Sequence, residues 1–443
     1  MTSQAQLSSI AHSLNYLDAF HDARGHTLAL IEDLTDEQLM GPQMEIVNPP
    51  LWEMGHVAWF QEYWVLRHLN RRAPILPNGD ALYDSAKVAH DTRWHLPLPS
   101  REHTLAYMQE VLDRITDTYQ HQNEIEPPAE YFLSLAVFHE DMHDEAFGYT
   151  RQTLGYPKPY LDLIERPSSQ AETAGEDQED AQILGGQFLL GSLPDRPFVF
   201  DNEMDAHEVE VEPFAISRTA VTNAEYAAFV DDRGYEHEEF WSEAGWRWRQ
   251  TVNAKHPVYW RRESGDWLRR AFDKMVPLEN SLPVLHVNWF EAEAFCRWAR
   301  RRLPSEAEWE MAASGAPNSD RHDLNKSKRR FPWGNEMPNP NQAHLDWRLG
   351  GCVDVRALPE GDSRFGCRQM IGNVWEWTAS DFNNYPGFKP GPYKEYSAPW
   401  FGDHKVLRGG CWVTRSRLIH NAYRNFYQPD RRDVWAGFRT CAL

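Results

Sequence analysis

His139-Glu140-Asp141-Met142-His143 closes an apolar run that begins at Tyr131. On a helix the two histidines fall one turn apart on the same face, where a pair of imidazoles can grip one metal ion. The same letters spell the zinc-protease signature, in which Glu140 would be the general base and a third ligand would follow downstream. His56 is the candidate third ligand preferred here. It lies among Trp52, Trp59 and Phe60 in a separate apolar segment. One ligand from one helix and an i,i+4 pair from another is a workable way to build a metal site inside a bundle. Three neutral imidazoles suit iron, zinc, copper or nickel, and they leave positions open for water, substrate or dioxygen. These residues alone do not separate the metals. Asp144 and Glu145 follow the pair and could either orient the imidazoles or face solvent.

The elements that must carry these ligands are helical. Leu14, Leu17 and Phe20, then Leu28, Ile31 and Leu34, recur at helical spacing. Pro49-Pro50 opens a second, strongly apolar helix through Trp52, His56, Trp59, Tyr63 and Leu66. Residues 100–121, with Ser100 as cap, and 128–153 complete a four-helix bundle. Between the second and third helices, residues 71–99 carry four prolines and read as a long structureless insertion, which in a compact domain points to function. Residues 167–181 are polar, acidic and free of aromatics, and read as a linker. Beyond it the character changes. Short runs at 185–192, 209–211 and 214–216 suggest strands, and helical patterns appear near 222–231, 288–301 and 305–314. The expected fold class is therefore α+β with two domains: a helical bundle over 1–166, an acidic linker over 167–181, and a second domain over 182–443 with little regular structure.

Bulk properties set limits. Nineteen Trp, 17 Tyr and 21 Phe suggest irregular structure held by large side chains. A formal charge of -21 argues against a general binder of nucleic acid or anionic membrane. The five cysteines form no CxxC pair, so neither a disulfide scaffold nor a zinc knuckle is indicated. No basic-then-apolar leader opens the chain and no run reaches the length of a membrane span, so a cytoplasmic protein is expected.

Several motifs then carry a resemblance. Residues 302–310 (Arg302-Leu303-Pro304-Ser305-Glu306-Ala307-Glu308-Trp309-Glu310), residues 331–334, Gly372-Asn373-Val374-Trp375-Glu376-Trp377, Arg408-Gly409-Gly410 and Ala436-Gly437-Phe438-Arg439 resemble the formylglycine-generating-enzyme fold, a C-type-lectin-like fold. The N-terminal part resembles a DinB-type four-helix bundle. The pairing, with His56, His139 and His143, is similar to the ergothioneine-type sulfoxide synthases. That resemblance implies a non-haem Fe(II) oxidoreductase that uses dioxygen to join a chalcogen to C2 of the imidazole of hercynine, the trimethylated betaine of histidine.

Residue roles follow from the same resemblance. Asn425 and Phe426 take the places that hold the betaine. Met142 stands where the sulfur branch usually has a glutamine against hercynine. Tyr427 and Arg431 occupy positions that contact γ-glutamylcysteine in the actinobacterial branch, with Tyr427 replacing an acidic group. Arg93 is a candidate for an anionic donor, Arg415 a pocket residue, and Tyr385 the candidate catalytic tyrosine that supplies a proton or electron. Trp375 and Trp377 read as core. Residues 81–94 with 138–143 look closest to the selenoneine synthase branch, whose donor is a selenosugar. A thiol donor, cysteine or γ-glutamylcysteine, is the alternative. Formylglycine formation, peptide cleavage and a non-catalytic binding module are the competing functions.

Overall fold

The computed structural model describes residues 15–122, 124–161, 180–194, 198–318 and 328–443. The chain divides into two compact units, the first built on residues up to Thr150 and the second chiefly on Val199–Leu443.

The first unit is a helical bundle. Its long helices are α1 (Tyr16–Ile31), α3 (Pro50–Gln61), α5 (Arg101–Tyr119) and α6 (Pro127–Leu154), with a short α2 (Asp36–Met40) and α4 (Gly79–Tyr83) between them. Asn15 caps α1 and Ser100 caps α5, each accepting a backbone N–H that the first turn leaves without an intrahelical partner. Pro50 opens α3, where its missing N–H costs nothing. All of α3 is buried, from Pro50 to Gln61, so this helix has no solvent face. It runs on as a π-helix over Glu62–Leu69, a widening often found near functional sites. The insertion expected to be structureless is not. It forms α4 and a 3-10 helix at His90–His95. Side chains of the preceding helix pin it: Trp52 Nε1 donates to the Leu82 carbonyl at 2.7 Å, Trp59 Nε1 to Asp80 at 2.8 Å, and Arg67 forks onto Asp80 at 2.6 and 2.9 Å.

The second unit overturns the expectation of little regular structure. Its strands are β1 (Ala181–Ile183), β2 (Gly186–Leu190), β3 (His207–Val211), β4 (Phe214–Ile216), β5 (Trp260–Glu263), β6 (Asp266–Ala271), β7 (Lys274–Pro277), β8 (Arg301–Arg302), β9 (Trp375–Asp381), β10 (Lys405–Arg408), β11 (Asn425–Tyr427), β12 (Ala436–Gly437) and β13 (Cys441–Ala442). They form two four-stranded sheets, β1-β4-β13-β8 and β11-β10-β9-β12, besides a three-stranded and a two-stranded sheet. The short runs read from sequence fall on β2, β3 and β4, but the other strands escape a pattern search for two reasons. They are short, and Trp375 to Thr378 of β9 are buried on both faces, which erases the two-residue alternation. Their partners are also remote in sequence: Cys441 pairs with both Ile216 and Arg302.

Helices α7 (Asn223–Asp231), α8 (Glu243–Thr251), α9 (Trp289–Trp298) and α10 (Glu306–Ser314) complete the unit, and α7, α9 and α10 each begin with a reciprocal capping box. The box of α10 explains the 302–310 motif. Ser305 Oγ accepts from the Glu308 N–H, and Glu308 accepts back from the Ser305 N–H and from Arg302 at 2.6 and 2.8 Å. Of the expected linker, residues 167–179 lie outside the described residues. Among the described residues no helix is long and apolar enough to cross a membrane.

Candidate metal centre

His56 comes from α3, and His139 and His143 come from α6, with their ligand atoms within 4.8 Å of one another. The helical spacing read from sequence accounts for His139 and His143 on one face of α6, and His56 of α3 joins them. His56 and His139 are each 2% exposed.

Two contacts define which nitrogens can bind. His56 Nδ1 lies 2.7 Å from the Tyr83 carbonyl oxygen. A carbonyl only accepts, so Nδ1 carries the proton and Nε2 keeps its lone pair. His143 Nδ1 lies 2.9 Å from a Glu53 carboxylate oxygen, with the same result. Rings complete the packing. Trp52 stacks on His56 at 4.7 Å and 12°, and Phe60 stacks on His139 at 3.5 Å and 3°. Burial, helped by nearby His143 and Arg93, holds the His56 imidazole well below its ordinary pKa. Burial, with His143 and His56 beside it, does the same for His139. Both are neutral near pH 7, the form in which imidazole binds a metal.

Glu53, Asn48 and the Tyr83 carbonyl were not singled out from the sequence. Glu53 carried a signal, because it lies three residues before His56 and so shares its helix face. Tyr83 carried none, since nothing local announces that its carbonyl folds onto α3. Tyr83 also explains Gly55, where a Cβ would meet the Tyr83 ring at 2.1 Å. Of the carboxylates proposed to orient the imidazoles, Asp144 accepts from the Thr27 hydroxyl at 2.6 Å, and both Asp144 and Glu145 are buried rather than solvated. Glu53 is the carboxylate on His143.

Arg93 is 9% exposed. Its guanidinium lies 3.9 Å over the Trp52 ring and donates to Asn48 Oδ1 at 2.6 Å and the Val88 carbonyl at 3.3 Å. Met142 is partly exposed on α6. Glu140, the general base of a protease reading, is fully buried and accepts from Arg24 Nε at 2.8 Å and from Gln61. Its carboxylate serves bundle packing.

The remaining candidates belong to the second unit. The Tyr385 hydroxyl donates to Glu306 at 3.0 Å and its ring lies under Arg424 at 4.1 Å. Glu306 also takes Arg408 at 2.9 Å and Arg424 at 2.7 Å. Burial raises the Tyr385 pKa well above its ordinary value, so the hydroxyl keeps its proton. Asn425, Phe426 and Tyr427 form β11, paired with Leu407, Val406 and Lys405. Phe426 stacks on Phe382 at 3.9 Å. Arg431 forks onto Asp433 at 2.7 and 2.6 Å and lies 5.2 Å from the Tyr427 ring centroid. Arg415 is 3.9 Å from Asp346. Trp375 and Trp377 are core residues, 1% and 0% exposed. All five cysteines are buried and unbridged, and burial raises the thiols of Cys296, Cys367 and Cys441, the last to about 12, which suits none of these three to act as a thiolate.

Comparison with known proteins agrees with this architecture. The DinB superfamily matches residues 19–146, and the Sulfatase-modifying factor enzyme 1-like domain matches residues 166–442. The class is thus a DinB-type helical unit joined to a sulfatase-modifying-factor domain. A hercynine oxygenase of Mycolicibacterium smegmatis is 35% identical over 94% of this chain and 96% of its own length. The hercynine oxygenase of Mycobacterium tuberculosis is 36% identical over 94% and 96%. A formylglycine-generating enzyme of Streptomyces coelicolor is 33% identical, but over 59% of this chain and 88% of its own. The chain belongs to the sulfatase-modifying-factor family and, along nearly its whole length, to the enzyme family of the hercynine oxygenases.

Proposed function

We propose that this protein is a non-haem Fe(II) enzyme that uses dioxygen to join a chalcogen to C2 of the hercynine imidazole. A thiol donor, cysteine or γ-glutamylcysteine, is the reading best supported. The observation that carries it is the gathering of His56, His139 and His143 in a chain whose full-length relatives are hercynine oxygenases.

The three imidazoles fit iron, because each ring is supplied by a helix and two of them have Nδ1 already tied, leaving Nε2 for a metal. Bound there, iron would supply the one-electron chemistry with dioxygen that zinc lacks. The chain's own residues do the rest. Tyr83 and Glu53 hold the ligand tautomers, while Trp52 and Phe60 exclude water from the ring faces. For the substrate, Phe426 is proposed to receive the trimethylammonium group and Asn425 to donate to the carboxylate, with Met142 beside the imidazole. Tyr385 is proposed as the proton or electron source; its hydroxyl holds a proton at neutral pH. In the overall change the thiol hydrogen and the C2 hydrogen leave as water with one oxygen atom. The other oxygen stays on sulfur as the sulfoxide.

A second donor, a selenosugar, is favoured by one observation. Arg431 is forked onto Asp433, and Arg415 lies 3.9 Å from Asp346. Cations expected to meet an anionic donor thus have carboxylates already, and Tyr427 is neutral. A donor with fewer carboxylates would suit these residues of the second unit, and Tyr427, Arg431 and Arg415 are its proposed contacts.

The test is aerobic incubation of iron-loaded protein with hercynine and, in turn, cysteine, γ-glutamylcysteine and a selenosugar, followed by mass spectrometry. A thiol-derived adduct of hercynine is expected. Preference for the selenosugar, seen as selenium's isotope pattern on the product, would move the protein to the selenium branch. No adduct from any donor would defeat the hercynine reading.

A further inference from the structure

We infer that Arg93 is a positioning residue of the metal centre, acting on two of the three ligands through Asn48 and Trp52. The inference rests on the proposal that the three histidines hold a metal.

The argument is one of donor and acceptor polarity. A guanidinium has only donors, so the Arg93 contact at 2.6 Å obliges Asn48 to present its oxygen. The amide's NH2 is thereby turned to Glu53, and Nδ2 donates to Glu53 Oε1 at 3.3 Å. The same Oε1 accepts from His143 Nδ1 at 2.9 Å. Each link fixes the direction of the next, from Arg93 through Asn48 and Glu53 to His143. Glu53 is 1% exposed and its other oxygen has no hydrogen-bond partner, so these two contacts hold the carboxylate.

A second route runs through a ring stack. The Arg93 guanidinium covers Trp52 at 3.9 Å, and Trp52 lies against His56 at 4.7 Å with the planes 12° apart. A cation near a metal ion is repelled by it, so Arg93 depends on its own contacts to stay in place. An arginine used only to grip a donor would keep its fork open, whereas this one is 9% exposed with two nitrogens committed to Asn48 and the Val88 carbonyl. Lysine could replace it only in part, since its ammonium can still donate to Asn48 Oδ1 but has neither the planar fork nor the flat face.

The test leaves out every donor and substrate. Co(II) is titrated into the full-length apoprotein, following the visible d–d absorption and competition with a chromophoric chelator. The proteins are wild type, Arg93→Met, Arg93→Lys, Asn48→Leu and the double variant Arg93→Met/Asn48→Leu. We expect one Co(II) per wild-type chain. Arg93→Met and Asn48→Leu should each weaken binding by about 10–100-fold and shift the absorption bands. The double variant should fall short of the product of the two losses, because the residues share one chain of contacts. Arg93→Lys should lose less; should Arg93→Met fail to fold by circular dichroism, Arg93→Lys and Asn48→Leu decide. Unchanged affinity and bands in folded variants would overturn the inference and leave the metal site standing. Wild type that binds no Co(II) would overturn the metal site itself and this inference with it.

Discussion

Glu140 stands between two candidate ligands in sequence, yet its chemistry is that of a buried ion pair. Arg24 Nε donates to it at 2.8 Å, and the two side chains are 3% and 0% exposed. Breaking such a pair from one side leaves a charge without compensation, at about 3–5 kcal/mol. Glu140→Gln is therefore expected to lower the urea midpoint strongly while the protein still binds one metal ion. Arg24→Met should cost a similar amount, and the double variant Arg24→Met/Glu140→Gln should be more stable than the sum of the single losses implies. Strict additivity would remove the coupling between the two residues, and a Glu140→Gln variant that is stable but inactive would return Glu140 to a catalytic role. The same residues show what a sequence discloses at this scale. His56 was reached only through the bundle reading and the family resemblance, whereas the i,i+4 pair was legible because helical geometry alone puts His139 and His143 on one face. The direction of Glu140, the Glu53 contact to His143 and the path from Arg93 were not, because each depends on a partner between 40 and 120 residues away.

At the scale of elements, α3 owes its function to the insertion folded onto it. The Tyr83 carbonyl sets the His56 tautomer, and Gly55 gives the Tyr83 ring its space. Gly55→Ala would place a methyl 2.1 Å from that ring, so overpacking of about 1–3 kcal/mol is expected, together with weaker metal binding as Tyr83 is displaced. Gly25→Ala in α1 is the control. Nothing lies within 4 Å of its Cβ position, and the change should be neutral or stabilising by up to about 1 kcal/mol. Thermal melts and metal titration of the two variants check this contrast, and equal effects would remove the insertion from the site. The bundle helices were readable from their 3.6-residue period and their caps. The sheets of the second unit were not. Strands such as Ala436–Gly437 and Cys441–Ala442 have two residues each and take their identity from partners that no local pattern names.

At the scale of the molecule, an acidic chain of formal charge -21 keeps several arginines inside, among them Arg408, Arg424 and Arg439. Each has a buried carboxylate: Glu306 and Glu310 for Arg408, Glu306 for Arg424, and Glu376 for Arg439. Glu203 lies in the same interior on different terms. It accepts from the Ser192 hydroxyl at 2.9 Å, and His420 Nε2 is 3.3 Å away. Burial is the largest influence and pushes its carboxyl up to about 8, against the pull of Ser192, Arg408 and Arg424. The folded protein therefore keeps a proton that the unfolded chain releases near pH 4.3. Between those two values the native state binds more protons than the unfolded state, so this group's contribution to stability falls as pH rises. Glu306 works in the opposite sense, because Arg424 and Arg408 outweigh its burial and hold it below the ordinary range; its stabilising share is lost on the acid side. Glu203→Gln keeps the neutral shape at every pH. The wild-type Tm should decline between pH 5 and pH 8 relative to the variant, with the gap widening steadily toward pH 8. Parallel Tm curves would mean that Glu203 is already ionised and paired with a protonated His420, and the buried cluster would then carry one more full ion pair than its burial alone suggests.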